Sequence, residues 1–271
     1  MADVLQESAE SKNPRGHLDP QGFDKHVEFH TYEAPADLQP FLEHFWVLTW
    51  HDLDYDYQSE QVMHQPVVDV FVSADWSGIQ GTFRSKRTYV AKGQGRIVGA
   101  RFLPGAFYGL WPGKMTELQD HIADLQTVFP EADNAWLNDL LACDNQGVIA
   151  GLASLLRAHV PEPKPQAALI QRIITFIEHT DEPLTVAGIA AQYDKSERWL
   201  QQLFQDYVGV GLKWLLQRHK LLIAAAAIRA SEQPDWSAIA YDAGYSSQQH
   251  FITDFKRVTG KTPREYKLTL A

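Results

Sequence analysis

Two clusters of Gln, Ser, Arg and His side chains near the C-terminal end of the chain could form hydrogen bonds with the edges of DNA bases. Gln can bond adenine, and Arg can bond guanine, each through two parallel hydrogen bonds. The first cluster comprises Ser196, Arg198, Gln201, Gln202 and Gln205, and the second comprises Ser247, Gln248, Gln249, His250, Thr253 and Lys256. A single polar helix face is usually only a solvated surface, so the elements that carry the clusters decide between the two interpretations.

Each cluster lies in one copy of a repeat that predicts a helix, a turn and a second helix. The copies start 50 residues apart. They share an Ile-Ala pair, a turn residue that tolerates positive φ, a serine at the N-cap position, two apolar residues on one helix face, and a closing glycine. These residues are Ile189, Ala190, Asp194, Ser196, Leu200, Phe204 and Gly209, and then Ile239, Ala240, Gly244, Ser246, Phe251, Phe255 and Gly260.

A long helix is predicted between the two copies. Leu212–Ser231 contains no proline and includes the helix-forming run Ala224–Ala227. Twenty helical residues span about 30 Å, and successive major-groove faces lie about 34 Å apart. The other helices of the back half are predicted at Gln166–His179, Val186–Gln192, Glu197–Tyr207, Trp236–Ala243, Ser247–Val258 and Pro263–Leu268.

The charge of the chain is divided unevenly between its halves. The whole sequence carries a net charge of −10, but residues 166–271 hold 12 Lys+Arg against 11 Asp+Glu. The back half is therefore free to approach phosphate. The residues expected to contact phosphates are Lys195, Lys220, Ser246, Lys256 and Arg257.

The front half is predicted to be strands followed by helices. Strands are expected at His44–His51, Pro66–Ser73, Gly78–Phe83, Arg87–Ala91 and Arg96–Leu103, and helices at Glu117–Phe129, Asp133–Cys143 and Gln146–His159. The chain is thus predicted to be an α+β protein of two domains. The first contains a small sheet, sandwich or barrel, for which a cupin-like barrel is one possibility, and the second is all-α. We expect a flexible tail at 1–22, a sensing or pairing domain at 23–160, a Pro-rich linker at 161–165 and a DNA-binding domain at 166–271.

The stretch from Leu169 to Lys267 resembles the DNA-binding domain of the AraC/XylS family of transcription regulators. The residues that carry the resemblance are Ile239, Ala240, Gly244 to Phe251, Phe255, Lys256, Gly260, Pro263 and Tyr266. The resemblance implies that Arg198, Gln201, Gln202, Gln248, Gln249, His250 and Thr253 face bases. The sequence departs from the family pattern at Gln202, Leu212 and Lys220. Asp254 would repel phosphate if it were exposed. The implied partners are double-stranded DNA, RNA polymerase, a small effector and a second copy of the chain.

The front half offers an effector pocket as its main candidate site. Trp46, Phe71 and Phe102 could line it, and Arg101 could hold an acidic ligand, although an internal ion pair of Arg101 is the favoured alternative. His64 with Asp69 is the best metal-ligand pair, but the spacing is wrong for a metal site, so neither metal nor other cofactor is expected. The competing hypothesis is a cupin-like enzyme in the front half with the back half as a targeting module.

Three further expectations concern the setting and assembly of the chain. No catalytic motif is present, so a non-enzymatic protein is predicted. A single cysteine, Cys143, excludes an internal disulfide, and the sequence contains no signal peptide or membrane span, which places the protein in the cytoplasm. The apolar stripes between Asp133 and His159 could pack on the sheet or form a homodimer seam, and we favour the seam.

Overall fold

The computed structural model describes residues 27–61, 64–84, 86–180 and 182–270. The predicted tail at 1–22 lies outside these residues. The predicted change from strands in the front half to helices in the back half is confirmed. None of the described helices has both the length and the apolar character that crossing a membrane would require.

The front half is built on a six-stranded antiparallel sheet with the order β1-β2-β5-β3-β4-β6. The strands are β1 Glu28–Tyr32, β2 Leu42–Gln61, β3 Asp69–Ser73, β4 Gly78–Gln80, β5 Arg87–Phe102 and β6 Ile122–Ala123. Strand β1 was not predicted. The two longest strands, β2 and β5, pair with each other, with β1 on one side of this pair and β3, β4 and β6 on the other.

Strand β5 is one continuous element, whereas the sequence predicted two strands, Arg87–Ala91 and Arg96–Leu103, with a turn in the glycine-containing segment between them. Gly93 has a φ of 60° and pairs with Leu53, where the register between β2 and β5 shifts. An extra residue at such a position bends a strand without ending it. The prediction of a turn was therefore wrong because the glycine serves a bulge.

One face of the sheet is covered by two helices, α1 Asn134–Leu141 and α2 Asn145–His159. Their N-caps are Asp133 and Asp144, whose side chains accept hydrogen bonds from the backbone N–H of Trp136 and Gly147. The apolar stripe of α2, which is Val148, Leu152, Leu155 and Leu156, is buried together with the sheet residues. The favoured prediction of a homodimer seam is wrong for this stripe, because the sheet of the same chain covers it.

The segment predicted as a helix at Glu117–Phe129 follows the edge of the sheet instead. It contains short 3-10 turns at Met115–Leu118 and Leu125–Thr127, with β6 between them paired to β4. Asp120 has a φ of 55°, which a helix interior does not accept. The apolar residues of residues 117–129 have helical spacing because Leu118, Leu125 and Phe129 are all buried in the core.

The described residues of the back half form seven helices, which agree with the predicted ones to within one residue at each end. They are α3 Pro165–Glu178, α4 Val186–Gln192, α5 Glu197–Val208, α6 Leu212–Ala230, α7 Trp236–Asp242, α8 Gln248–Thr259 and α9 Pro263–Leu268. Two separate cores form, one around α4 and α5 and the other around α7 and α8, and α6 contributes buried residues to both.

Candidate nucleic-acid interface

The first helix-turn-helix unit consists of α4, a tight turn and α5. The turn places Asp194 at a φ of 51°, and the N–H of Lys195 donates to the carbonyl oxygen of Ala190 at 2.9 Å. Ser196 caps α5 by accepting a hydrogen bond from the backbone N–H of Trp199 at 3.2 Å. Gly209 ends α5 with a φ of 86°. The predicted turn residue, cap and stop of this unit are confirmed.

The second unit, α7 and α8, repeats this turn with the same hydrogen bond. The N–H of Tyr245 donates to the carbonyl oxygen of Ala240 at 2.9 Å, and Gly244 has a φ of 78°. The predicted cap at Ser246 was wrong, because Ser247 accepts the hydrogen bond from the backbone N–H of His250 at 3.2 Å. The second turn is thus one residue longer, which explains why the residues after the caps lie 51 rather than 50 positions apart in the two units.

The outward face of α5 carries four of the predicted base-facing residues. Ser196, Arg198 and Gln202 are exposed, and Gln201 is half-buried. The Nε2 of Gln202 donates to Oδ1 of Asp206 at 2.7 Å, so the amide is held along the helix axis. Leu200, Leu203 and Phe204 are buried on the opposite face. The polar cluster is therefore brought together on one surface.

Sequence reasoning missed Trp199, which is 41% exposed on the same helix. The ammonium of Lys195 lies 5.7 Å from the centre of its ring, so a cation and an aromatic ring flank the polar face. The available signal was that Trp199 does not belong to the apolar i, i+4 pattern of Leu200 and Phe204. A large aromatic residue outside that pattern must lie at least partly in solvent.

All five predicted base-facing residues of the second unit are exposed. They are Ser247, Gln248, Gln249, His250 and Thr253. Oε1 of Gln248 accepts a hydrogen bond from Oγ of Ser237 at 2.7 Å, which fixes it against α7. Gln249 lies 3.5 Å from the hydroxyl of Thr253, and the ring of His250 packs edge-on against Tyr245. Gln249 is thus an exposed amide whose Nε2 makes a long hydrogen bond within its own helix, whereas Gln248 is bonded to α7.

The predicted phosphate contacts fall into two groups. Lys195, Ser246, Lys256 and Arg257 are exposed. The Nζ of Lys220 instead donates to the carbonyl oxygen of Gly244 at 2.7 Å and lies 5.6 Å from the centre of the Tyr245 ring. The structure thus gives Lys220 a packing role between α6 and the second turn, since its ammonium points inward.

Asp254 does not present its charge on the reading face, because it is only 8% exposed. Its carboxylate accepts hydrogen bonds from Gln217 of α6 and from Arg257, at 2.6 Å in the latter case. Gln217 also donates to the hydroxyl of Tyr245 at 2.9 Å. Burial, followed by the negative charge of Asp254, raises the pKa of the Tyr245 hydroxyl well above its ordinary value. The acid therefore serves to join α8 to α6.

Helix α6 holds the two units at a fixed separation. It contains 19 residues, and at 1.5 Å per residue it is about 28 Å long. Its first turns bury Leu212, Leu215 and Leu216 in the first core, and near its end Arg229 donates to the hydroxyl of Tyr266 at 2.9 Å. Because each end is bonded into a different core, α6 is a rigid connection and not a hinge.

The front half packs against α5 through residues 105–118. The rings of Tyr108 and Tyr207 stack with their centres 4.0 Å apart. A Cβ atom on Gly209 would lie 2.6 Å from the carbonyl oxygen of Met115. Beside this contact is an open groove of about 470 Å³, lined by front-half residues and by Gln202, Gln205 and Asp206 of α5. One side of the first reading helix thus borders the front half.

The four residues predicted to line an effector pocket lie on opposite faces of the sheet. Phe102 is fully buried in the core under the helices, whereas Arg101, its neighbour in β5, points to the other face with Trp46 and Phe71. Arg101 binds Asp69 through two hydrogen bonds of 3.0 and 2.9 Å and also donates to Gln65 at 3.3 Å. The predicted common pocket was wrong, and the internal ion pair was the correct alternative.

The space around this ion pair is small. His64, Asp69 and Arg101 line a cavity of about 20 Å³, which is enough for one water molecule. Burial by itself would lower the pKa of Arg101, but the negative charge and the hydrogen bonds of Asp69 act against it, and the pKa lies above its ordinary value. Within the described residues, no three His, Cys, Asp or Glu side chains come together in an arrangement that could hold a metal ion.

Comparison with known proteins gives two family matches. Residues 189–268 match a family described as "Helix-turn-helix domain", and residues 30–124 match one described as "Domain of unknown function (DUF6597)". The first match contains both turns and both reading helices. The second contains the whole sheet except the start of β1.

Comparison with individual proteins finds similarity to regulators and DNA-binding proteins. Regulatory protein SoxS of Salmonella typhimurium is 36% identical over 100 residues, which are 36% of this chain and 92% of SoxS. The right origin-binding protein of Escherichia coli is 31% identical over 103 residues, which are 38% of this chain and 35% of that protein. Among solved structures, the C-terminal domain of AraT, a response regulator from Geobacillus stearothermophilus, is 26% identical, with a TM-score of 0.35, over 40% of this chain and 88% of that one.

Proposed function

The chain belongs to the AraC/XylS family of DNA-binding transcription regulators, and we propose that it reads two adjacent segments of the DNA major groove with α5 and α8. The observation that carries this proposal is the pair of capped helices with exposed polar faces, joined by one rigid helix of about 28 Å. That length is close to the spacing of successive major-groove faces on one side of a duplex.

The exposed side chains suggest which bases each helix reads. In α8, Gln249 is exposed, and its amide makes only a long hydrogen bond of 3.5 Å to the hydroxyl of Thr253, so it can turn to bond adenine through both amide atoms. In α5, Arg198 is exposed at the N-terminal end and can bond guanine. The amide of Gln202 has one N–H group fewer available for a base, because Nε2 already donates a hydrogen bond to Asp206. We therefore propose Arg198 and Gln249 as the main specificity residues of the two units.

Contacts with phosphates are proposed for the cations that border the reading helices. Lys195 and Lys256 are exposed, and both lie within the +4 net charge that residues 195–271 carry. Such contacts position the protein without reading sequence. Arg257 is exposed as well but shares its guanidinium with Asp254. Ser246, exposed in the second turn, can donate its hydroxyl to phosphate.

Selection from a random-sequence DNA library, with full-length protein, tests the proposal. We expect two conserved elements whose centres lie about 10 base pairs apart. Arg198→Ala should relax one element only, and Gln249→Ala should relax the other only. Gln126→Ala is the matched control, since Gln126 is an exposed amide of the front half. A single conserved element, or relaxation of both elements by one substitution, would contradict the proposal.

The front half is proposed to modulate DNA binding, as a sensing or pairing domain spanning residues 23–160. An extended segment connects it to α3, and its residues 105–118 contact α5 directly. A change in the front half can therefore reach the first reading helix. We also propose that the regulator acts on RNA polymerase at its target promoters. Whether two chains bind one site is measured by light scattering of the protein–DNA complex.

A further inference from the structure

Arg87, at the start of β5, lies among three aromatic rings on the sheet face away from the helices. Its Cζ atom is 4.4 Å from the centre of the Phe83 ring, 5.1 Å from that of Tyr89 and 5.5 Å from that of Trp76. Cations are attracted to the faces of such rings. A guanidinium packed in this way keeps its N–H groups at its edge, because its planar faces are covered.

Among the described residues, no side chain or backbone group accepts a hydrogen bond from the edge of the Arg87 guanidinium. Within the described part of the chain, no hydrogen bond or ion pair involves its side chain, although the residue is half-buried. Neighbouring arginines behave differently: Arg84 bonds Asp120 at 3.0 Å, and Arg101 uses Asp69 and Gln65. Five N–H donors in a partly buried position require an acceptor. None of the described residues supplies one, so this edge is open to solvent or to a bound molecule.

The surroundings of Arg87 indicate what kind of molecule supplies the acceptor. Trp76 is 36% exposed, and its ring packs edge-on against the buried ring of Phe71, with the ring centres 4.5 Å apart. The two rings form an apolar surface that extends from the interior to solvent. The hydroxyl of Tyr89 donates to Oε1 of Gln80 at 3.4 Å, so the polar end of the Tyr89 side chain already has a partner. Burial raises the pKa of Tyr89, so this hydroxyl stays neutral. The site therefore combines one available cation with apolar rings.

The residue before Arg87 lies beside the C-terminal end of the second reading helix. The Nζ of Lys86 lies 3.9 Å from the position that a Cβ atom would occupy on Gly260, the residue that ends α8. The C-terminal end of a helix carries partial negative charge, which favours a cation there. A molecule bound at Arg87 would thus sit one residue away from the lysine that lies beside this end of α8.

We propose that Arg87, Trp76, Phe83 and Tyr89 form the effector site, and that the effector is a small carboxylic acid with an apolar body. The carboxylate bonds the edge of the Arg87 guanidinium, and the apolar body packs on Trp76. Binding alters DNA affinity through Lys86 and Gly260. This inference rests on the proposed function only in its last step, because acid binding itself requires no DNA.

Isothermal titration calorimetry of the full-length protein with cyclohexanecarboxylate, in the absence of DNA, tests the site. We expect saturable binding, at least tenfold weaker binding of the neutral cyclohexanecarboxamide, and weaker binding of acetate, which lacks the apolar body. Arg87→Gln should weaken binding of the carboxylate at least tenfold, while Arg87→Lys should retain part of it. Arg84→Gln is the matched control, since that arginine pairs with Asp120, and it should bind as the parent protein does.

Each result of this experiment decides one part of the proposal. Equal binding of the acid and the amide, undiminished binding by Arg87→Gln, or no binding of either carboxylate would overturn the site. Far-UV circular dichroism of both Arg87 variants separates loss of binding from loss of folding. The coupling is measured as the change in DNA affinity that saturating cyclohexanecarboxylate causes in the parent protein. No change would overturn the coupling, whereas a protein that binds the acid but no DNA would overturn the proposed function alone.

Discussion

Two glycines at equivalent positions of the two units allow the contact between the halves to be measured. Gly209 ends α5 with a φ of 86°, and Gly260 ends α8 with a φ of 77°. Alanine in this left-handed conformation costs roughly 1–2 kcal/mol. A Cβ atom on Gly260 has no atom nearer than 3.9 Å, whereas one on Gly209 would lie 2.6 Å from the carbonyl oxygen of Met115. Only Gly209→Ala therefore also forces backbone to move.

Overpacking of this kind costs a further 1–3 kcal/mol or so. We expect Gly260→Ala to lower the free energy of unfolding by about 1–2 kcal/mol and Gly209→Ala by about 2–5 kcal/mol. Urea titration followed by circular dichroism measures both values. In a fragment of residues 161–271, which lacks Met115, the two substitutions should have similar effects. Equal effects in the full-length chain would refute the reasoning, because they would mean that residues 105–118 do not contact Gly209.

Three further predictions concern the reading helices. Gln249→Ala should lower affinity for the best DNA site by about 1–3 kcal/mol and relax discrimination at one base pair, measured by gel shift with Gln126→Ala as control; equal loss on all sequences would contradict it. Lys256→Ala should weaken binding to all sequences alike and reduce the slope of log affinity against log salt by about 1; an unchanged slope would argue against a phosphate contact. Ser247→Ala should cost about 0.5–2 kcal/mol of stability while Ser246→Ala costs little, measured by thermal unfolding; the reverse order would contradict the observed cap.

The helices of the back half could be predicted closely because the sequence marks their ends. Pro165 and Pro263 stand in first turns, Thr185 and Ser196 are caps, and Gly209 is a stop. These signals act within a few residues and need no tertiary contact. The exposure of most predicted base-facing residues followed from the same local pattern.

The errors arose where distant contacts decide the local structure. Residues 117–129 have helical spacing of apolar residues, yet β4 pairs with Ile122–Ala123 and makes a strand of them. The inward position of Lys220 depends on the carbonyl oxygen of Gly244, which lies 24 residues away. The predicted effector pocket was wrong because successive side chains of a strand point to opposite faces of the sheet. Arg101 and Phe102, which are neighbours in β5, therefore cannot line one pocket.

The burial of both ends of α6 in separate cores has a consequence for the DNA that the protein can use. A flexible tether would let each unit rotate independently around the duplex, but a continuous helix fixes their relative phase as well as their distance. One additional base pair between the two elements turns the second by about 34–36° around the DNA axis. One additional residue in α6 would turn the second unit by about 100° around the helix axis. The target sites should therefore be constant in spacing, and any variation between promoters should appear in base identity and not in length.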